Sequence, residues 1–329
     1  MGYGAILLVS FGGPEGPEDV EPFLSNVLRG RNVPAERRRE VAQHYYELGG
    51  ASPIGAATRA MAAALQTRLD AAGPRLPVYI GNRNWHPLLP DTLRRMAAEG
   101  VTSALAVVTS AFGSYSGCRQ YLEDMERART AVGESAPRLD KVRLFYNHPE
   151  FLAIWTERVG AALETAPAGS GLIFTAHSIP LEMARSGPYE EQLREACRMV
   201  AAACGRTQWT LAYQSRSGPP TQPWLEPSLE SAMAEAAARQ APGVVVAPIG
   251  FLSDHMEVVY DLDHEARQQA GALQLAFTRV KTPGDHPRFA GLLQELIRER
   301  CDPGRARQAV GQCEAWPDVC PADCCLSPR

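Results

Sequence analysis

Eight short apolar runs, each followed by a longer stretch of helical spacing, constrain this chain more than any other feature. Such alternation is satisfied by parallel sheets covered with helices. The runs fall at 5–12, 77–82, 103–110 and 141–146, and then at 171–177, 209–214, 243–251 and 273–280. Helical spacing fills 55–72, 116–132, 149–165, 189–203, 228–240 and 257–270, with a last segment at 287–300. The layout of residues 1–147 repeats in 148–286. The expected architecture is therefore α/β: two Rossmann-like lobes, each a four-stranded parallel sheet flanked by helices. Residues 287–329 are expected to form a C-terminal helix, packed back across the first lobe, and a Cys-rich tail.

A length of 329 residues suits two domains. With 45% apolar and 21% charged residues, the chain lies far from the composition of disordered proteins. A net charge of -4 leaves no basic footprint for a nucleic-acid backbone. No apolar run approaches the ~18 residues that span a bilayer. The opening MGYGAILLVSFGGPEG has no basic n-region and places Ile6 where myristoylation needs Ser or Thr. A cytoplasmic protein without a lipid anchor is expected, and its eight cysteines then argue against a disulfide framework. Cys197 and Cys204 sit in an Ala-rich helical stretch, whereas Cys313, Cys320, Cys324 and Cys325 crowd a short, aperiodic tail. That tail needs something other than an apolar core to order it, which makes it a metal-cluster candidate.

In open parallel sheets, ligands bind beyond the carboxyl ends of the strands. Those ends read SFGGP (10–14), GNRNW (81–85), TSAFGSYSG (109–117), TAHSIP (175–180), YQSRSGPP (213–220) and PIGFLSDHMEV (248–258). The first is no phosphate cradle. It misses G-x-G-x-x-G, Pro14 has no N–H to offer, and Glu15, Glu18 and Asp19 would repel an anion. His177 closes the apolar run GLIFTA, where it is either structural or a neutral imidazole able to take a proton or bind a divalent metal. Asp254 and Glu257 have capping-box spacing, with Asp254 as N-cap and Glu257 at N3; alternatively, one caps the helix while another group faces the cleft. In the basic stretch RGRNVPAERRR, Arg37, Arg38 and Arg39 read as a solvated helix face. Arg29 and Arg31 are the candidates for pairing with substrate carboxylates.

Taken together, FGGP (11–14), HYYELGGASPI (44–54), GNRNW (81–85), FTAHSIP (174–180), YQSRSGPP (213–220) and PIGFLSDHMEV (248–258) resemble the ferrochelatase family through nearly the whole chain. The resemblance implies a class II chelatase-like fold with a porphyrin cleft between the lobes. Ferrous iron would be a substrate, handled with the pyrrole protons by His177 and Glu257. It places Ser52 and Tyr121 at porphyrin-contacting positions. It also aligns Phe11 with a tyrosine that ligates iron in some relatives, so no axial phenolate is available there. The implied reaction exchanges one metal ion for two pyrrole protons in a ring buckled by its binding site.

Coproporphyrin III is the favoured ring, because the chain has no evident membrane-docking insertion and a bacterial SFGGP opening; protoporphyrin IX is the alternative. The tail resembles the cysteine cluster of ferrochelatases that carry a [2Fe–2S] centre, with Cys313, Cys320, Cys324 and Cys325 as candidate ligands and Cys118 as a candidate fourth from within the fold. A downstream haem-pathway enzyme is an expected partner, and a monomer the expected state. The competing readings are a cobalt or nickel chelatase for a sirohydrochlorin-type ring, which usually uses two histidines, and a haem or porphyrin carrier without turnover.

Overall fold

β1 (Ala5–Ser10), β2 (Val78–Asn82), β3 (Ser103–Val108) and β4 (Arg138–Lys141) form one all-parallel sheet in the order β2-β1-β3-β4. β5 (Gly171–His177), β6 (Thr210–Gln214), β7 (Gly243–Ala247) and β8 (Ala276–Arg279) repeat that order as β6-β5-β7-β8. The computed structural model describes residues 2–30, 33–218 and 221–327, so Arg31 lies outside the described residues. The inner strands AILLVS and GVVVA are buried throughout, as strands covered on both faces must be. In each sheet the connections change side between the first and third strands. The two crevices therefore open at the ends of β1 and β3 and of β5 and β7.

One apolar interior joins the sheets. Leu8, Leu65, Trp155, Phe174, Val200 and Leu293 belong to the same buried cluster, contributed by strands of both lobes and by the helices Ile54–Ala72, Pro149–Thr165, Tyr189–Ala203 and Phe289–Cys301. The last of these lies against Ile54–Ala72. Gln294 Nε2 donates to Gly73 O at 2.8 Å and Arg298 Nη2 to Ala72 O at 2.7 Å.

Two expectations shift. The apolar run 141–146 was expected as a strand, but Arg138–Lys141 makes the ladder to β3. Val142 N still donates to Ala106 O of β3 at 3.0 Å, but Leu144, Phe145 and Tyr146 beyond it are buried outside any strand. β4 is an edge strand, where a polar sequence suffices, while the apolar residues fill the interior between the lobes. The segment 257–270 was expected as one α-helix. It is an α-turn (Met256–Val259), a π-helix (Tyr260–Ala266) and a second α-segment (Arg267–Ala272). A π-turn adds one residue to an otherwise helical pattern, and apolar spacing does not register it.

After Cys301 the described chain has neither helix nor strand. It is held by the ion pair of Arg143 with Glu299, whose side chains are 1% and 4% exposed. Arg143 Nη2 also donates to Gln308 O at 2.6 Å, and Glu299 Oε1 accepts from Gln308 N at 2.8 Å.

Candidate active site

The His177 imidazole and the Glu257 carboxylate face each other at the second crevice, with Nε2 3.8 Å from Oε2. His177 ends β5; Glu257 lies in the first turn after the loop that follows β7. His177 Nδ1 is 2.5 Å from Ser178 O. A carbonyl only accepts, so Nδ1 is the donor there, and Nε2 is the ring nitrogen that faces Glu257. The backbone beneath the ring is fixed from two sides. Tyr189 Oη donates to His177 O at 3.2 Å, and Ser178 N donates to Gln214 O at 2.8 Å. At 3.8 Å the pair forms no direct hydrogen bond, and both side chains stay partly open, 34% and 51% exposed. An imidazole nitrogen and a carboxylate oxygen thus share one accessible point.

The capping arrangement differs from the expected box. Asp254 does not cap the helix: its Oδ1 accepts from Thr282 Oγ1 at 2.9 Å and lies 2.7 Å from the Arg279 guanidinium, which also pairs with Asp263 at 3.4 Å. His255 takes the N-cap position, its Nδ1 accepting from Val258 N at 3.4 Å. Burial holds the His255 imidazole below its ordinary pKa, which keeps it neutral and able to accept. Because neighbours do the capping, the Glu257 carboxylate is left for the crevice.

Asp261, four residues beyond Glu257, was not singled out in the sequence, although that spacing puts it on the same helix face. Burial pushes its carboxyl up to about 6, against donation from Ser215 Oγ and from Gln214 Nε2 at 3.0 Å. It can exchange a proton near neutral pH.

The first lobe supplies an aromatic wall. Phe11 packs edge-on against Phe23, ring centroids 6.2 Å apart. Phe23, Tyr45 and Met256 share one cluster, which brings the helices Pro17–Val27 and Ala35–Glu47 against the turn bearing Glu257. Tyr121 is buried beneath Arg83, whose Cζ lies 4.4 Å from its ring centroid and 5.7 Å from that of Phe11. Arg83, paired with Asp124, thus stands between the two rings and was another residue missed in the sequence. Ser52 is buried against Gly13, where a Cβ would meet the Ser52 Cβ at 2.7 Å. Only glycine allows that approach. Arg29 is exposed just beyond Pro17–Val27, with Nη2 donating to Asn26 Oδ1 at 2.6 Å.

Away from His177 and Glu257, neither of which lines it, Cys118, Cys320, Cys324 and Cys325 line one cavity of about 200 Å³ with Arg119 and Lys141. Cys118 comes from a π-turn (Tyr115–Arg119) in the first lobe, and the other three from the tail. The tail is tied to both lobes: Arg119 donates to Ala322 O at 2.9 Å, and Cys325 N to Ser186 O at 2.9 Å. The Cys118 thiol donates to Cys320, and Trp316 Nε1 reaches its sulfur at 3.3 Å; together they lower the Cys320 pKa. Cys324 and Cys325 sulfurs are 3.4 Å apart. Cys313 stands elsewhere, beside the Tyr146 phenol, its carbonyl accepting from Asn147 Nδ2 at 3.0 Å. Among the described residues, no three His, Cys, Asp or Glu side chains already close around a metal-sized point.

Paired parallel sheets with a proton acceptor and a carboxylate at their crevice define a chelatase-type protein. The fold is similar to SirB from Bacillus subtilis with Fe3+ (TM-score 0.57, 11% identity, 90% of this chain and 95% of that one). It is also similar to CbiX, described as the terminal enzyme for biosynthesis of siroheme in denitrifying bacteria (TM-score 0.50, 18% identity, 89% and 98% covered). These likenesses concern the fold alone. A family model described as Ferrochelatase matches residues 3–301. The chain is 52% identical to a protein of Rhodopirellula baltica named ferrochelatase, covering 99% of this chain and 95% of the relative. It is 49% identical to the coproporphyrin III ferrochelatase of Nocardia farcinica (100% and 98% covered) and 46% identical to that of Mycolicibacterium smegmatis (98% and 95%). The chain belongs to the ferrochelatase family and is a metal chelatase. No helix of the described residues is long and apolar enough to cross a membrane.

Proposed function

We propose that this protein inserts ferrous iron into coproporphyrin III in haem biosynthesis, with His177 and Glu257 at the reacting centre. The observation that carries this reading is His177 Nε2 facing the Glu257 carboxylate across 3.8 Å at the crevice beyond β5 and β7. Insertion replaces two pyrrole N–H protons by one Fe2+. Nε2 takes one proton, and the Glu257 carboxylate attracts the cation and receives the other. Asp261, with its pKa near 6, passes protons outward. Phe11, backed by the buried rings of Phe23 and Tyr45, offers an apolar surface whose contact with the ring helps drive distortion at the centre. Phe11 supplies no metal ligand, so iron is held from the His177–Glu257 side.

Support for the four-carboxylate ring comes from the names of the Nocardia and Mycolicibacterium relatives and from the exposed guanidinium of Arg29 at the rim. A charged hydrogen bond to each additional carboxylate is worth about 1.5–3 kcal/mol. In detergent-free buffer, kcat/KM for coproporphyrin III is expected to exceed that for protoporphyrin IX by at least about tenfold. Equal or reversed values would overturn the substrate assignment.

The tail thiols suit an iron–sulfur centre held by Cys118, Cys320, Cys324 and Cys325. Four sulfurs line one small cavity, one of them poised as thiolate, with Lys141 beside them to offset negative charge. Such a centre would tie the tail to the first lobe. Anaerobically purified protein is expected to contain acid-labile sulfide in stoichiometric amount. Cys118→Ser should lose it, and Cys313→Ser should keep it. Wild-type protein without labile sulfide removes the proposal.

A further inference from the structure

A chain of side-chain amides connects the aromatic wall to the rim arginine. Phe11 O accepts from both Asn84 N at 3.1 Å and Asn84 Nδ2 at 3.2 Å. Asn84 O accepts from Asn26 Nδ2 at 3.1 Å, and Asn26 Oδ1 accepts from Arg29 Nη2 at 2.6 Å. Asn84 is buried, and Asn26 occupies the last turn of Pro17–Val27, half-buried against the GNRNW loop.

Asn26 uses both ends of its amide, and the chemistry fixes its orientation. The guanidinium only donates and the Asn84 carbonyl only accepts, so the oxygen must face Arg29 and the NH2 must face Asn84. No carboxylate or hydroxyl at this position does both: aspartate has no donor, and serine falls short of one partner. An exposed arginine otherwise samples many rotamers, and ordering it on binding costs affinity. Here one N–H of the fork is anchored to the wall, and the remaining donors stay free for a planar, bidentate carboxylate.

We propose that Asn26 is a positioning residue for substrate recognition, holding Arg29 in register with the Phe11 wall so that the guanidinium meets a carboxylate of the bound porphyrin. This rests on the reading of Arg29 as a carboxylate contact, and the experiment separates the two. KM and kcat for coproporphyrin III are measured for the wild type, Asn26→Ala, Asn26→Asp, Arg29→Ala and the Asn26→Ala/Arg29→Ala double variant. Ordering one side chain is worth about a 3- to 10-fold change in affinity. Asn26→Ala is therefore expected to raise KM by that factor with kcat held within about twofold. Asn26→Asp, which keeps the size, should also raise KM, because it neutralises Arg29 and loses the bond to Asn84. The double variant should match Arg29→Ala, since Asn26 acts only through that residue.

If Arg29→Ala leaves KM unchanged, the carboxylate reading of Arg29 fails and takes the proposal with it. If Arg29→Ala raises KM while both Asn26 variants behave as wild type, only the positioning role fails. It also fails if the two alanine effects add, or if Asn26→Ala lowers kcat in proportion.

Discussion

His177→Ala is expected to lower iron insertion by roughly 10²- to 10⁴-fold, the range spanned by loss of a general base, while porphyrin still binds. Among the described residues, the imidazole facing Glu257 is that of His177, whereas His255 turns its Nδ1 to Val258 N and is buried. The ring is one-third exposed and makes one hydrogen bond, through Nδ1 to Ser178 O, so its removal opens little of the core, costs that carbonyl one donor, and the fold should persist. Metalloporphyrin formation followed by absorbance, with porphyrin binding followed by fluorescence, separates the two effects. Turnover within about tenfold of wild type would remove His177 from the chemistry.

Arg143→Ala is expected to destabilise the protein by about 3–5 kcal/mol, because it leaves Glu299 charged and unpaired in the interior. Arg143 bridges the end of β4 to both the last helix and the tail. Denaturant unfolding should show the loss, and limited proteolysis should release the tail first. Arg143→Met paired with Glu299→Leu should recover much of the stability, since replacing both charges strands neither. A single alanine variant as stable as the parent would contradict the burial of this pair.

Much of the fold was legible because its signals are local and repeated. β5 and the helices Pro149–Thr165 and Tyr189–Ala203 fall at the residues expected, each with an apolar pattern and, for the helices, Pro or acidic residues in the first turn. β4 was placed late because burial in the shared interior imitates a strand pattern. The π-helix Tyr260–Ala266 was invisible because the buried residues Val258, Leu262, Ala266 and Ala270 recur every fourth position, a spacing that an α-helix also accepts. At the site, motif position indicated His177 and Glu257. Their 3.8 Å approach, the capping by His255 and the occupation of Asp254 by Arg279 depend on contacts between segments far apart in sequence. The same holds for Cys118, which meets tail residues some two hundred positions away, and for Arg83, which a motif letter did not reveal as the cover over Tyr121.

Because one apolar interior runs unbroken through both sheets, the lobes cannot swing apart like jaws without opening their own packing. Pro17–Val27 and Ala35–Glu47 stand outside that interior on the separate patch around Phe23 and Met256, so a shift of these two helices would break the smaller cluster alone.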